Sequence, residues 1–118
     1  LRPVNVAQLR DTHYPTQSTA AVRARVETAR DAARERWSGH GYQKNALVPG
    51  ALLRSSRWRL PPPVSRQLDH ALEKNMLSMR GYDRTLRLAW SIADVEGAIT
   101  PTSDHVGVAF LKRQGAIE

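Results

Sequence analysis

The stretch from Leu77 to Gly97, LSMRGYDRTLRLAWSIADVEG, constrains the fold of this chain more than any other. It contains no proline over about five helical turns. Ser78 stands where its hydroxyl can accept a hydrogen bond from a free amide of the first turn, and Gly97 supplies a C-terminal stop. One long helix is predicted. At about 100° per residue, Tyr82, Leu86, Ala89 and Ala93 fall on one side, and Leu88, Ile92 and Val95 on a flank about 100° away. A helix apolar over that width is wedged between two neighbours. The remaining face of its first half carries Arg80, Arg84 and Arg87 at i, i+4, i+7, so three guanidinium groups project together near the helix N-terminus. Cations are favoured at the opposite end of a helix dipole. This face therefore reads either as a solvated one, with Asp83 nearby, or as a site for an anionic ligand.

The other segments supply neighbours for that helix. From Ser18, STAAVRARVETARDAARERW has no breaker before Gly39, and Ser18 or Thr19 can cap it. Val22, Val26, Ala29, Ala33 and Trp37 form a narrow apolar stripe, and Glu27–Arg30 and Asp31–Arg34 are opposite-sign pairs on a solvated face. Three glycines and a proline in SGHGYQKNALVPG end this helix in a loop, where Asn45 is expected to satisfy local backbone groups. Pro49 to Ser55 fits a short helix with Leu52 and Leu53 inward. Pro61 to Pro63 predict an extended segment, followed by a helix bearing Val64, Leu68, Ala71 or Leu72, and Met76, and ending near Asn75. Thr100 and Pro101 are expected to start a last helix, carrying Val106, Ala109, Phe110 and Arg113 to a stop at Gly115. The chain thus reads as all-α, a small bundle of four to five helices spanning residues 18–118. Residues 1–17, with two prolines and only a short alternating stretch, read as a linker or lead-in.

Length and charge narrow the function. A chain of 118 residues, 25% charged and 6% aromatic, accommodates one small domain with a modest core. Its net charge of +7 comes mostly from arginine, whose planar fork suits phosphate oxygens of a nucleotide or a nucleic acid. In RSSRWRLPPP, Arg54, Arg57 and Arg59 surround Trp58, a composition found in nucleic-acid contacts and equally in a packed connector with solvated arginines. Cysteine is absent, which excludes disulfides and thiolate metal sites and fits a reducing cytoplasm. No apolar run approaches the roughly 18 residues of a membrane span. His13, His40, His70 and His105 are too far apart for a short-spacing metal motif, so no metal site is expected. There is no GxxxxGK[ST] phosphate loop and no GxSxG nucleophile elbow, so this stretch is not expected to be an enzyme by itself. The sequence starts at Leu1 without Met and is expected to be a piece of something larger.

LSMRGYDRTLRLAWSIADVEG resembles the C-terminal helical domain of magnesium-chelatase-related AAA+ ATPases of the ComM or YifB type, whose pattern runs LS-x-R-x-Y-D-R-x-L-R-x-A-x-x-I-A-D. STAAVR, Asn45-Ala46 and VPGALLR followed by RLP are similar to further segments of that family, so the resemblance covers most of the chain. It departs at Trp90 and Ser91, where the pattern often has Arg-Thr, and no role for a charged group at position 90 carries over. The resemblance implies a lid-like fold in which Arg80 is the sensor-2 residue reaching the phosphates of a nucleotide, with Arg84 and Arg87 as nucleotide or interdomain contacts. It also implies ATP and Mg as cofactors of a longer bacterial parent, an AAA+ core in the same chain, and a homo-oligomeric, hexameric ring. For ComM-type members it implies DNA branch migration in natural transformation. A second reading, from the residues alone, pairs Val64–Asn75 with Ser78–Glu96 as a helix-turn-helix presenting arginines to DNA.

Overall fold

A computed structural model describes residues 18–113, which form an all-α bundle; the expected lead-in over residues 1–17 and the Gly115 stop lie outside them. Five α-helices follow one another: α1 (Thr19–Trp37), α2 (Gly50–Leu53), α3 (Pro62–Glu73), α4 (Met79–Val95) and α5 (Ser103–Arg113). Two single 3-10 turns, Ser38–His40 and Asn45–Leu47, lie between α1 and α2. Ser18 Oγ caps α1 by accepting from the Ala21 amide, and Ser78 Oγ caps α4 in the same way from Gly81. Gly97, at φ 77°, closes α4 while the Ala98 amide returns to the Ala93 carbonyl at 2.9 Å. That 6→1 bond is the Schellman arrangement, and it needs the left-handed backbone that glycine adopts without strain.

The central helix is α4, which packs against every other helix of the bundle. Tyr82, Leu86, Ala89 and Ala93 are all buried, as their spacing requires, and the first three meet Trp37, Val48, Leu53, Leu68, Val106 and Ala109 in one core. The second buried flank is not the expected one. Leu88 and Ile92 are only half-buried and Val95 is exposed, whereas Asp83, Trp90 and Asp94, on the opposite flank, are buried. Two carboxylates take that side because each finds a guanidinium there, and pairing is what lets a charge leave water.

Asp94 receives Arg36 from α1 in a two-pronged ion pair, Nη2 to Oδ1 at 2.5 Å and Nη1 to Oδ2 at 3.1 Å. Asn45 sits across it, donating from Nδ2 to Asp94 Oδ2 (2.9 Å) and Ser91 Oγ (3.1 Å) while its Oδ1 accepts from Trp37 Nε1 at 2.8 Å. The guanidinium of Arg36 also lies over the Trp90 ring, 4.5 Å from its centroid. Asn45 therefore joins side chains of α1 and α4, rather than local backbone groups as expected. The Trp37, Trp58 and Trp90 rings close around this network with centroids 4.6 to 6.0 Å apart.

Other departures from the sequence reading have local causes. Pro62 and Pro63 lie inside α3, not ahead of it, because the first-turn amides they lack have no intrahelical partner to lose. Asn75 takes φ 60° after α3 and the Met76 amide turns back to the Ala71 carbonyl, which sends Met76 to the surface instead of the apolar stripe. The last helix starts at Ser103, beyond Thr100 and Pro101: the Thr102 amide donates to His105 Nδ1 at 2.9 Å, so the histidine side chain serves as the reciprocal cap that a glutamate often provides. On α1, Asp31 and Arg34 pair at 2.7 Å, but Glu27 and Arg30 do not, and Val22 at the first turn is exposed.

Packing sets three expectations. Leu86→Ala should destabilise the domain by about 2–4 kcal/mol through the cavity it leaves, against less than about 0.5 kcal/mol for exposed Arg84→Ala, as measured by urea denaturation. Asp94→Ala should cost about 3–5 kcal/mol because Arg36 is left buried and unpaired, and adding Arg36→Met should recover part of the loss in the same assay. The Tyr82 phenol is held well above its ordinary pKa by burial and by its hydrogen bond to Asp69. The unfolded phenol ionises near ~10 while the folded one stays protonated, so stability should be constant below that pH and fall as pH rises past it. Tyr82→Phe should flatten that fall in denaturation curves taken across the range.

Candidate functional site

The three arginines that share one face of α4 in sequence are put to different uses. Arg80, in the first turn, is exposed and makes no ion pair or side-chain hydrogen bond among the described residues. Arg84 is exposed one turn further on. Arg87 is half-buried, with Nε donating to the Val48 carbonyl at 2.7 Å. It thereby holds the loop before α2 against α4, and a guanidinium so placed is a structural tie as much as a ligand contact. Arg84 and Arg87 flank a shallow depression of about 290 Å³ with Ala46, Leu88 and Ser91.

Asp83, between Arg80 and Arg84 in the chain, pairs with neither. Its Oδ1 accepts from Arg54 Nε at 2.8 Å and its Oδ2 from Arg54 Nη2 at 3.2 Å. The bond to Asp83 outweighs partial burial and raises the Arg54 pKa, so that guanidinium is permanently charged and fixed. Opposite the pair, Gly50 lies so near the carboxylate that any Cβ there would collide with it. The VPG turn is thus required to have no side chain at its third position. Because Arg54 neutralises Asp83, the acid nearest to Arg80 does not draw its guanidinium inward, and the first turn of α4 presents a free cation.

The arginines around Trp58 divide in the same manner. Arg54 is the partner of Asp83, while Arg57 and Arg59 are exposed. Trp58 is half-buried against Trp37, Trp90 and His40, with the Arg57 guanidinium 5.1 Å from its ring centroid. Its indole N–H is buried and unpaired among the described residues. The ring acts as a packing element of the aromatic cluster, and the free charges at Arg57 and Arg59 stand outside it. Arg59 also borders a cavity of about 240 Å³ with Arg54, Leu60 and Tyr82.

Asp83, Asp94, Arg36 and Asn45, which fix the orientation of α4, were not singled out as a group by the sequence. The signal was available in part: on the helical wheel both acids lie within about 40° of Trp90, on a flank where an unpaired carboxylate would be expensive if buried. Their partners come from 29 and 58 residues away in the chain, and helical periodicity carries no information over such a separation. Among the described residues, no group of three or more His, Asp or Glu side chains is arranged to hold a metal ion. No helix there is long and apolar enough to cross a membrane.

Comparison with known proteins gives a consistent family. Over 98 residues the chain is 47% identical to an uncharacterised protein of Mycobacterium bovis and, to the same extent, to uncharacterised proteins of two Mycobacterium tuberculosis strains. Each alignment covers 83% of this chain and 19% of the relative, so the chain spans about a fifth of the length of the curated relatives it matches. No solved structure matches it. Residues 16–113, which include the whole described bundle, match the family of the magnesium chelatase subunit ChlI C-terminal domain, and the chain belongs to that family.

Proposed function

We propose that this bundle is the lid of a magnesium-chelatase-like AAA+ ATPase and that Arg80 is its nucleotide-facing residue. The observation that carries this reading is the contrast on α4: Arg87 is committed to Val48 and Asp83 to Arg54, while Arg80 in the first turn is exposed and unpaired. A guanidinium there can extend past the end of the helix toward an anion bound outside the domain. Family membership supports an AAA+ core as the neighbour that would present that anion, and ATP with Mg as the bound species. Among the described residues the fit is partial by design: a free phosphate-seeking cation is present, and no metal-ligating cluster is. The residues that grip the triphosphate and its Mg would belong to the core, consistent with the absence of a GxxxxGK[ST] segment from this sequence. Within a ring of such subunits the lid would couple the state of the nucleotide to movement between subunits. DNA branch migration by the parent is the finer proposal, supported only by the resemblance and by the net charge of +7.

The helix-turn-helix alternative gains little from α3 and α4. Nine of the 17 residues of α4 are buried, including Gly81, Tyr82 and Asp83 in its first half. A recognition helix needs that half open to enter a groove.

In the parent protein, Arg80→Ala should lower steady-state ATP turnover by about 100-fold, the scale of losing one positioned donor to developing phosphate charge. Arg25→Ala, on the exposed face of α1, should leave turnover within about twofold. Circular dichroism of both variants checks the fold. Near-normal turnover in Arg80→Ala would remove the assignment and leave the arginine face as a packing or docking surface.

A further inference from the structure

At the other end of α4, roughly 21 Å along the axis from Arg80 at 1.5 Å per residue, lies a groove of about 380 Å³ between α1 and the last turn of α4. The buried Ala29 and Ala33 and the exposed Val95 give it apolar lining, and Arg30, Arg34 and Lys44 line it as well. The buried polar side chains that line it, Asp94 and Asn45, are already satisfied. Asp94 is bound by Arg36 and Asn45, and Asn45 by Trp37 and Ser91. An occupant therefore meets hydrocarbon below and positive charge at the sides. Arg34 shares its charge with Asp31, whereas Arg30 and Lys44 have no ion-pair partner among the described residues.

We propose that this groove docks an acidic segment of a partner protein, anchored by an aliphatic side chain on Ala29 and Ala33 with flanking carboxylates toward Arg30 and Lys44. The volume is that of a ligand-sized cleft, large enough for one or two leucine-sized side chains. Two small residues one turn apart let such side chains approach the α1 backbone, and the cations supply steering and orientation. A nucleic acid suits the groove less well. No aromatic ring lines it to stack a base, and its base offers phosphate no donors. The site is distinct from the nucleotide-facing end of α4, so its fate does not depend on the role of Arg80.

The test uses the 118-residue chain and a fluorescein-labelled synthetic peptide in which glutamates flank a central leucine pair, followed by fluorescence anisotropy at physiological salt. Micromolar binding is expected. Arg30→Glu with Lys44→Glu should weaken it at least about tenfold, while Arg66→Glu with Lys74→Glu, an equal charge change at exposed positions on and just after α3, should alter it less than about twofold. Ala46→Trp, placed on the exposed wall of the groove, should also weaken binding by obstructing it, and replacing the leucine pair by serine should do the same from the peptide side. Equal losses for the Arg66→Glu, Lys74→Glu pair and the Arg30→Glu, Lys44→Glu pair would show nonspecific attraction to a basic surface and overturn the proposal. So would serine replacement without effect, or an oligothymidylate that binds more tightly than the peptide and loses affinity in the same variants.

Discussion

Two carboxylates removed from water on one helix determine how the domain is assembled. Asp94 and Asp83 lie near opposite ends of α4, and each would be prohibitive there without a guanidinium facing it. Arg36 brings α1 to the first, and Arg54 brings the segment after α2 to the second. The hydrophobic contacts of Leu86, Ala89 and Trp90 supply most of the burial, yet they are non-directional and tolerate rotation. Forked hydrogen bonds tolerate much less. The rotation of α4 about its axis, and with it the direction in which Arg80 leaves the bundle, is therefore set by ion pairs within the bundle.

Periodicity, caps and the glycine stop predict α4 within a residue of its observed ends because all three are local properties of the backbone. The apolar face formed by Tyr82, Leu86, Ala89 and Ala93 was legible for the same reason. The second flank was not. Leu88 and Val95 look like core residues by hydropathy, and Asp83 and Asp94 look like surface, but the partners that reverse the order lie far along the chain, Arg36 on α1 and Arg54 just after α2. The prolines at the start of α3 are misleading in another way: the missing amides of Pro62 and Pro63 cost nothing in a first helical turn, so these two belong to the helix and only Pro61 precedes it.

For the site, the arginine register was visible in the sequence and its division of labour was not. Spacing makes Arg80, Arg84 and Arg87 equivalent, whereas packing binds Arg87 to a loop carbonyl and leaves Arg80 open. Likewise the cluster around Trp58 reads as a basic and aromatic patch until the ring is found against two other indoles and Arg54 against an acid. In both places packing separates the charged groups that already have a partner from those that do not.

The close approach of Gly50 to Asp83 has a consequence for how such a sequence can vary. The two positions, 33 apart in the chain, occupy one volume. A side chain can be introduced at position 50 only if the Asp83 carboxylate is displaced or removed, and either change disturbs the anchor of Arg54. Substitution at these three positions must therefore proceed in concert, so that drift at one becomes tolerable only after a change at another, and the turn, the acid and the arginine are inherited as a unit.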